Sequence, residues 1–412
     1  MTVNRRVAIR GAAAIAATQI TSPFIISARG ETPLKIGMVD PITGAYAALA
    51  QNEVIGAKYA VERINIKGGI LGRPIDLLLE DSANDVGTGV QKTRKLIERD
   101  QVAFIIGDVN SGIAQAMAQV TAERKILHIV AGGHTDGITG KDCKWNVFRV
   151  CNTTRMEANS VCDLLFSKYG KKWHFITPDY AFGHTLQEAC ADNLKKFGGT
   201  TTGNELTPVG TSDFSAYLIK ARAARPDLLV LLLGGSDMVN CLRQIAQFGM
   251  DKQIHVAGTQ QELESLNALP TEARLGIWMF EWYWKQPDTP HLATFVADIR
   301  KHTGRVPTAR TWFGYAAVHS LVLVANQEKT LDAVKLARAL GDLELPDEIK
   351  LQPNRCYYRQ GDHQLMTSAF IGEVLPKGVS DPEDLFRVDT IMAGDRTSPP
   401  VSETGCTLQW PA

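Results

Sequence analysis

Neither sign of charge is in excess in this 412-residue chain: 44 Lys and Arg balance 44 Asp and Glu. No basic stripe is interleaved with aromatic residues, which argues against a nucleic-acid partner. The seven cysteines form no CxxC pair, so a zinc site is not expected. Their odd number leaves at least one thiol unpaired. No GxSxG elbow and no GxxxxGK[ST] loop is present. DVGTGVQ lacks the third glycine of a dinucleotide fingerprint, and the histidines show neither HExxH nor HxH spacing. No acid/base pair can be picked out, although GGHTD could hide a His–Asp pair. After the first thirty residues, no segment is long and apolar enough to cross a membrane. No low-complexity linker interrupts the chain.

Those first thirty residues differ from the rest. Arg5, Arg6 and Arg10 form a positive head, Gly11 to Ala28 carry no charge, and small residues lie near Ala28 and Gly30. This layout predicts a removed export signal over 1–30. Adjacent arginines before a weakly apolar core suggest the twin-arginine type. A membrane anchor is the alternative, weakened by Thr18, Gln19, Thr21, Ser22 and Pro23. An exported chain can form disulfides. Cys143 and Cys406 lie in polar loop sequence, DCKW and TGCT, and are the expected pair. Cys162, Cys190 and Cys241 fall in helical patterns, as small buried residues do.

The remaining chain alternates between two periods. Strands fit LKIGMV (34–39), PIDLLLED (74–81), AFIIG (103–107) and ILHIVA (126–131), with helices between them. The alternation restarts with WHFIT (173–177), DLLVLLL (227–233) and QIHVAG (253–258). Near-continuous apolar strands separated by helices predict parallel sheets covered on both faces. The length suggests two such lobes. From NRCYYRQ onward the pattern reads as strands without helices. Short connections near Val150, Gly276 and Gln360 are expected to be the hinges.

In open α/β sheets, ligands collect beyond the carboxyl ends of the strands. There this sequence places Tyr46, Asn110, Ser111, Gly112, Gly132, Gly133, His134, Tyr180, Phe182, Gly235 and Gln260. Glycines let backbone approach a ligand, and a helix start offers free N–H groups. Each residue has a purely structural reading. Asn110 and Ser111 could be helix caps, and His134 a hydrogen-bonded core histidine. Tyr180 and Phe182, in the turn PDYAFGHT, could simply anchor that turn. The coincidence of six such turns at equivalent strand ends favours a binding cleft.

LKIGMVDPITGAYAALAQNEVIGAKYAVERINIKGGILGRPIDLLLEDSANDV resembles the amino-terminal part of periplasmic solute-binding proteins of the branched-chain amino acid, urea and amide class. GDVNSGIAQA, VAGGHTD, PDYAFGHT, DFSAYLIKARAARPDLLVLLLGG and DHQL support the resemblance over roughly residues 34–375. It implies an α/β chain of the type I periplasmic-binding-protein fold, two doubly wound parallel-sheet lobes joined by three hinge crossovers. The expected division is 31–150 plus 277–360 for the first lobe, and 151–276 plus 361–412 for the second lobe and tail. The resemblance implies a non-enzymatic, monomeric receptor that closes on a small molecule and delivers it to an ABC permease in the inner membrane, with no cofactor and no metal. Ser111 would supply a hydroxyl, Gly132 and His134 with Thr135 would supply donors, and Tyr180 or Phe182 would lie on the ligand. Amino-acid binders of this class hold the ammonium with an acid where this chain has Gln260. Glu262 and Asp237 are the nearby substitutes. The departure points to an amide, a urea-like compound or a small aromatic or aliphatic carboxylate. A sensor of the same fold and a hydrolase are the rival readings.

Overall fold

The structure, a computed structural model, describes residues 32–411. The expected export signal lies outside them. Among the described residues, no helix is long and apolar enough to cross a membrane.

The first lobe is built on β1 (Leu34–Asp40), β2 (Ile75–Asp81), β3 (Phe104–Ile106), β4 (Leu127–Val130) and β5 (Val147–Arg149). The second uses β6 (Lys172–Pro178), β7 (Thr200–Thr207), β8 (Leu228–Leu231), β9 (His255–Gly258) and β10 (Ile277–Phe280). Four late strands follow: β11 (Tyr357–Arg359), β12 (Gln364–Met366), β13 (Ala369–Val374) and β14 (Phe386–Met392). The first sheet runs β11-β12-β5-β4-β3-β1-β2, parallel apart from the β11–β12 hairpin. The second lobe has β7-β6-β8-β9, all parallel, and an antiparallel β10-β13-β14. Met279 of β10 hydrogen-bonds Thr259 and Gln261 beyond β9, which joins these two sheets.

The register follows from burial. β1 pairs with β3 as Ile36↔Phe104 and Met38↔Ile106, and each of these four side chains is buried. Helices cover both faces, as the apolar strands require. The helices Ala47–Ile66 and Ala309–Glu328 pack together on the first lobe. Gly56 faces Thr311 and Gly314 faces Glu53 so closely that a Cβ at either would strike backbone. The second helix brings Trp312 and Phe313 into the first-lobe core and Arg310 to the cleft. Full burial of such a large side chain contributes about 1.5–3 kcal/mol.

Two boundaries differ from expectation. Ile277–Phe280 belongs to the second lobe, because its backbone pairs with Ala369–Val374. Gln364–Met366 belongs to the first sheet, because Gln364 pairs with Arg149. The crossings therefore fall at about residues 150–153, 281–285 and 367–368. All three are tied together at Asn152: its N–H donates to Glu281 Oε2 (2.5 Å) and its Oδ1 accepts from Thr367 Oγ (2.6 Å). The carboxyl-terminal region also holds two short helices, Gly394–Thr397 and Val401–Thr404, where only strands were expected.

Cys143 and Cys406 form a disulfide, as their loop settings suggested. It pins a tail that leaves the second lobe at β14 to the first lobe. Cys151, Cys162, Cys190, Cys241 and Cys356 are free and buried.

Candidate functional site

The strand-end turns of both lobes meet in one cleft. Tyr46, His134, Tyr180, Phe182 and Gln260 line it directly, together with Leu49, Val109, Leu233, Met238 and Arg310. The other expected residues stand behind this lining. Asn110 Oδ1 caps the helix Ser111–Glu123 by accepting from Gly112 and Ile113 N–H. Its amide donates to Asn84. Ser111 Oγ accepts from both His134 and Thr135 N–H, each at 3.1 Å. In this closed arrangement the hydroxyl therefore shapes the His134 loop. Gly133 packs against Ala114, Val130 and Ile138. Gly132 leaves the space that a guanidinium needs: a Cβ there would lie 2.4 Å from Arg310 Nη1. Gly235 has φ +56° and sits on Ala45 and Tyr46 of the opposite lobe, where a side chain has no room.

A buried polar network closes one end of the cleft. Arg310 donates to Glu262 Oε1 through Nε (3.0 Å) and Nη2 (2.5 Å), and to Glu53 Oε1 through Nη1 (3.0 Å). Nη1 also reaches Gly132 O at 3.3 Å. His134 Nε2 meets Glu281 Oε1. Gln260 Nε2 donates to Glu281 Oε1 (2.8 Å) and Glu262 Oε1 (3.2 Å), and lies 3.3 Å from His134 Nε2. Thr259 Oγ reaches Glu157 Oε2 at 3.3 Å.

Burial disfavours the charged forms of these acids, and local partners decide each outcome. Burial pushes Glu53 up to about 7 despite Arg310 beside it. Asp40, Asp108 and Glu157 are raised well above the ordinary carboxylate range, chiefly by burial. For Glu281 burial is again the largest influence, but His134 and the Asn152 N–H outweigh it and hold the carboxyl below the usual value. Burial opposes the charge on Arg310, and Glu262 and Glu53 more than restore it.

His134, Glu157 and Glu281 could bring one ligand atom each to within 4.8 Å of one another. Glu281 already accepts from Gln260, Asn152 and His134, and Glu157 Oε2 from Thr259. The arrangement fits a hydrogen-bonded network better than a cation site. His134 also faces Glu281 rather than Asp136, whose Oδ1 accepts from Arg155 N–H. That separates the His–Asp pair GGHTD could have hidden. Asp237 accepts from Gly210 N–H at 2.9 and 3.2 Å and does not line the cleft. Its expected role as a substitute acid is therefore corrected.

Contacts across the cleft hold the lobes together. Tyr46 and Tyr180 share a hydroxyl hydrogen bond of 3.0 Å, with ring centroids 6.2 Å apart. Ser236 N–H donates to Ala45 O at 3.0 Å, and Thr135 Oγ lies 3.1 Å from Thr185 Oγ. The two rings of PDYAFGHT differ. Tyr180 is half-buried and faces Tyr46, whereas Phe182 is 6% exposed and packs in the second-lobe core and edge-on to His134. The void left between the lobes is only about 20 Å³. That holds roughly one water, so admitting a solute requires the lobes to part.

Sequence reasoning missed Arg310, Glu53, Glu157 and Glu281, and weighed Glu262 only as a substitute. Two signals were available. Arg310 is a lone charge heading the apolar helix ARTWFGYAAVHSLVLVA, and Glu281 interrupts IWMFEWYW.

Residues 33–379 match the family model described as periplasmic binding protein. Leu/Ile/Val-binding protein homolog 2 of Brucella abortus is 30% identical over 317 residues, spanning 74% of this chain and 82% of the relative. A periplasmic binding protein from Burkholderia mallei superposes with a TM-score of 0.85 at 26% identity, covering 91% of this chain and 98% of its own. An amino acid ABC transporter substrate-binding protein from Pseudomonas fluorescens Pf-5 gives 0.83 at 26% identity, covering 92% and 100%.

Proposed function

This chain belongs to the periplasmic binding proteins, and on that premise we propose that it captures a small polar or aromatic molecule, an amide, urea-like compound or carboxylate, between its lobes and delivers it to an ABC importer. It has the type I fold of that family, and the family and its relatives are transporter binding proteins rather than enzymes. Family membership implies export to the periplasm, and the double arginine at positions 5 and 6 supports the twin-arginine route.

One observation carries the ligand class. Gln260 is neutral, where the resemblance to amino-acid binders of this class implies an acid facing the ligand ammonium. Of the nearest acids, Glu262 already has its counter-charge in Arg310, and Glu281 already accepts from Gln260 and Asn152 and meets His134. A ligand that is neutral or anionic at this end suits the network better than a free ammonium. A branched-chain amino acid is the second reading, favoured by the relatives' names and by the apolar wall of Leu49, Val109, Leu233 and Met238. Mass spectrometry of small molecules released from freshly purified protein decides between them. Release of leucine, isoleucine or valine would reject the first reading. Failure of any solute to compact the protein in solution scattering would reject the receptor role itself.

A further inference from the structure

Glu264 Oε2 apart, three side chains on one short segment of the second lobe carry polar atoms that bond to nothing in the protein. They are Gln261 Nε2, Glu262 Oε2 and Ser265 Oγ. Each residue is at least nine-tenths buried: Gln261 is 2% exposed, Glu262 5% and Ser265 2%. All three line the cleft void. Buried polar atoms are nearly always partnered, and an orphan costs the desolvation of its group. Three orphans on one wall of a binding cleft therefore mark where a ligand makes its bonds.

Their chemistry is specific. Gln261 Oε1 accepts from Glu262 N–H at 3.0 Å, which fixes the amide so that Nε2, a donor, is left over. Glu262 Oε1 is taken by Arg310 and Gln260, which leaves Oε2 as a free acceptor. Ser265 Oγ can act either way. A carboxylate would satisfy Gln261 but set an anion against Glu262. An ammonium would satisfy Glu262 but leave the Gln261 donor idle. A neutral group bearing both N–H and C=O satisfies the whole set.

We infer that Gln261, Glu262 and Ser265 form a subsite for a primary carboxamide or ureido group of the ligand. The inference rests on the receptor reading above and narrows its ligand class. Backbone of the same segment is already committed, since Gln261 N–H pairs with Met279 O. Selection therefore falls to the side chains.

Four probes sharing a propyl tail test it by calorimetry on the exported chain: butyramide, propylurea, butyrate and butylamine. Butyramide or propylurea is expected to bind at least about tenfold tighter than the two ions, since each wrong ion strands a buried partner. Ser265→Ala and Gln261→Leu are each expected to lower that affinity by about fivefold or more. The melting temperature without solute should stay within a degree or two for Ser265→Ala, which deletes one oxygen. If Gln261→Leu fails to fold, Ser265→Ala alone decides. Equal binding of all four, preference for an ion, no binding of any probe, or full affinity in Ser265→Ala would overturn the subsite. So would a released natural ligand with neither group. Scattering with a periplasmic extract separates the two ideas: compaction by some other solute keeps the receptor and removes only the subsite.

Discussion

Arg310 and Glu262 belong to opposite lobes and meet across the cleft, guanidinium to carboxylate, at 2.5 and 3.0 Å. Both are buried, and Glu53 shares the same guanidinium. The closed form thus places one cation between two acids that would otherwise be desolvated without a counter-charge.

Removing one member of such a group is costly, because it leaves the others charged and dry. Arg310→Met is expected to destabilise the protein by about 3–5 kcal/mol. Urea unfolding measures the loss, and solution scattering should find the lobes further apart. Unchanged stability and an unchanged scattering radius would show that Arg310 does not hold the lobes.

The two rings of PDYAFGHT should respond differently to substitution. Tyr180→Phe removes one hydroxyl that bonds the opposite lobe and is expected to cost about 0.5–1.5 kcal/mol of closure. Phe182→Ala removes a core ring and is expected to cost about 3–5 kcal/mol of stability. Melting and ligand affinity, measured on both, distinguish the roles. Loss of ligand affinity with normal melting in Phe182→Ala would reverse them.

Glu264 predicts a pH dependence. Burial first, and Glu262 second, push its carboxyl up to about 8, and Thr308 Oγ donates to it at 2.6 Å. A carboxyl raised in the folded state holds its proton more tightly there than in the unfolded chain. Its stabilising contribution is complete below the unfolded value near 4.5 and is lost as pH rises toward 8. Burial holds His128 down to about 4, so below about pH 6.5 it acts with the opposite slope. Between about pH 6.5 and 8 the native chain should therefore lose stability faster than Glu264→Gln. Parallel melting profiles would remove Glu264 as the cause.

Opening the Cys143–Cys406 bridge frees one end of the tail. Cys406→Ser is expected to lower stability by about 2–5 kcal/mol, and to expose the segment after Met392 to proteases. A tail that stays intact, with an unchanged melting temperature, would mean that its packing alone suffices.

The export signal makes a further prediction. Sequencing the amino terminus of protein taken from its native envelope should begin near residue 31. Met1 retained in a membrane fraction would favour the anchor.

Strands buried on both faces could be read from the sequence, since a run such as AFIIG admits few other settings. β7 could not. Thr200–Thr207 is an edge strand, polar along most of its length and largely open to solvent, so no apolar run announces it. The lobe boundary at Ile277 failed for a related reason. IWMF suits either sheet, and only pairing with residues nearly a hundred positions later assigns it. At the cleft, glycine turns and rings were visible because their signal is local. Arg310 and Glu281 act through partners 48 to 257 positions away, Glu262, His134 and Glu53. No spacing rule reaches that far.

The tail also sets a mechanical limit on the molecule. Asn159 of the second lobe holds Thr397 O, and Arg359 of the first holds Pro399 O, so the tail passes between lobes within two residues. Hinge motion that carries Asn159 away from Arg359 must break one of these bonds. If the Arg359 bond goes first, the ten residues from Thr397 to Cys406 become a leash, able to reach about 30 Å when drawn straight. The lobes can swing apart to admit a solute, yet even a chain cut at a single hinge crossing would remain one covalent body, and its swing would still have a stop.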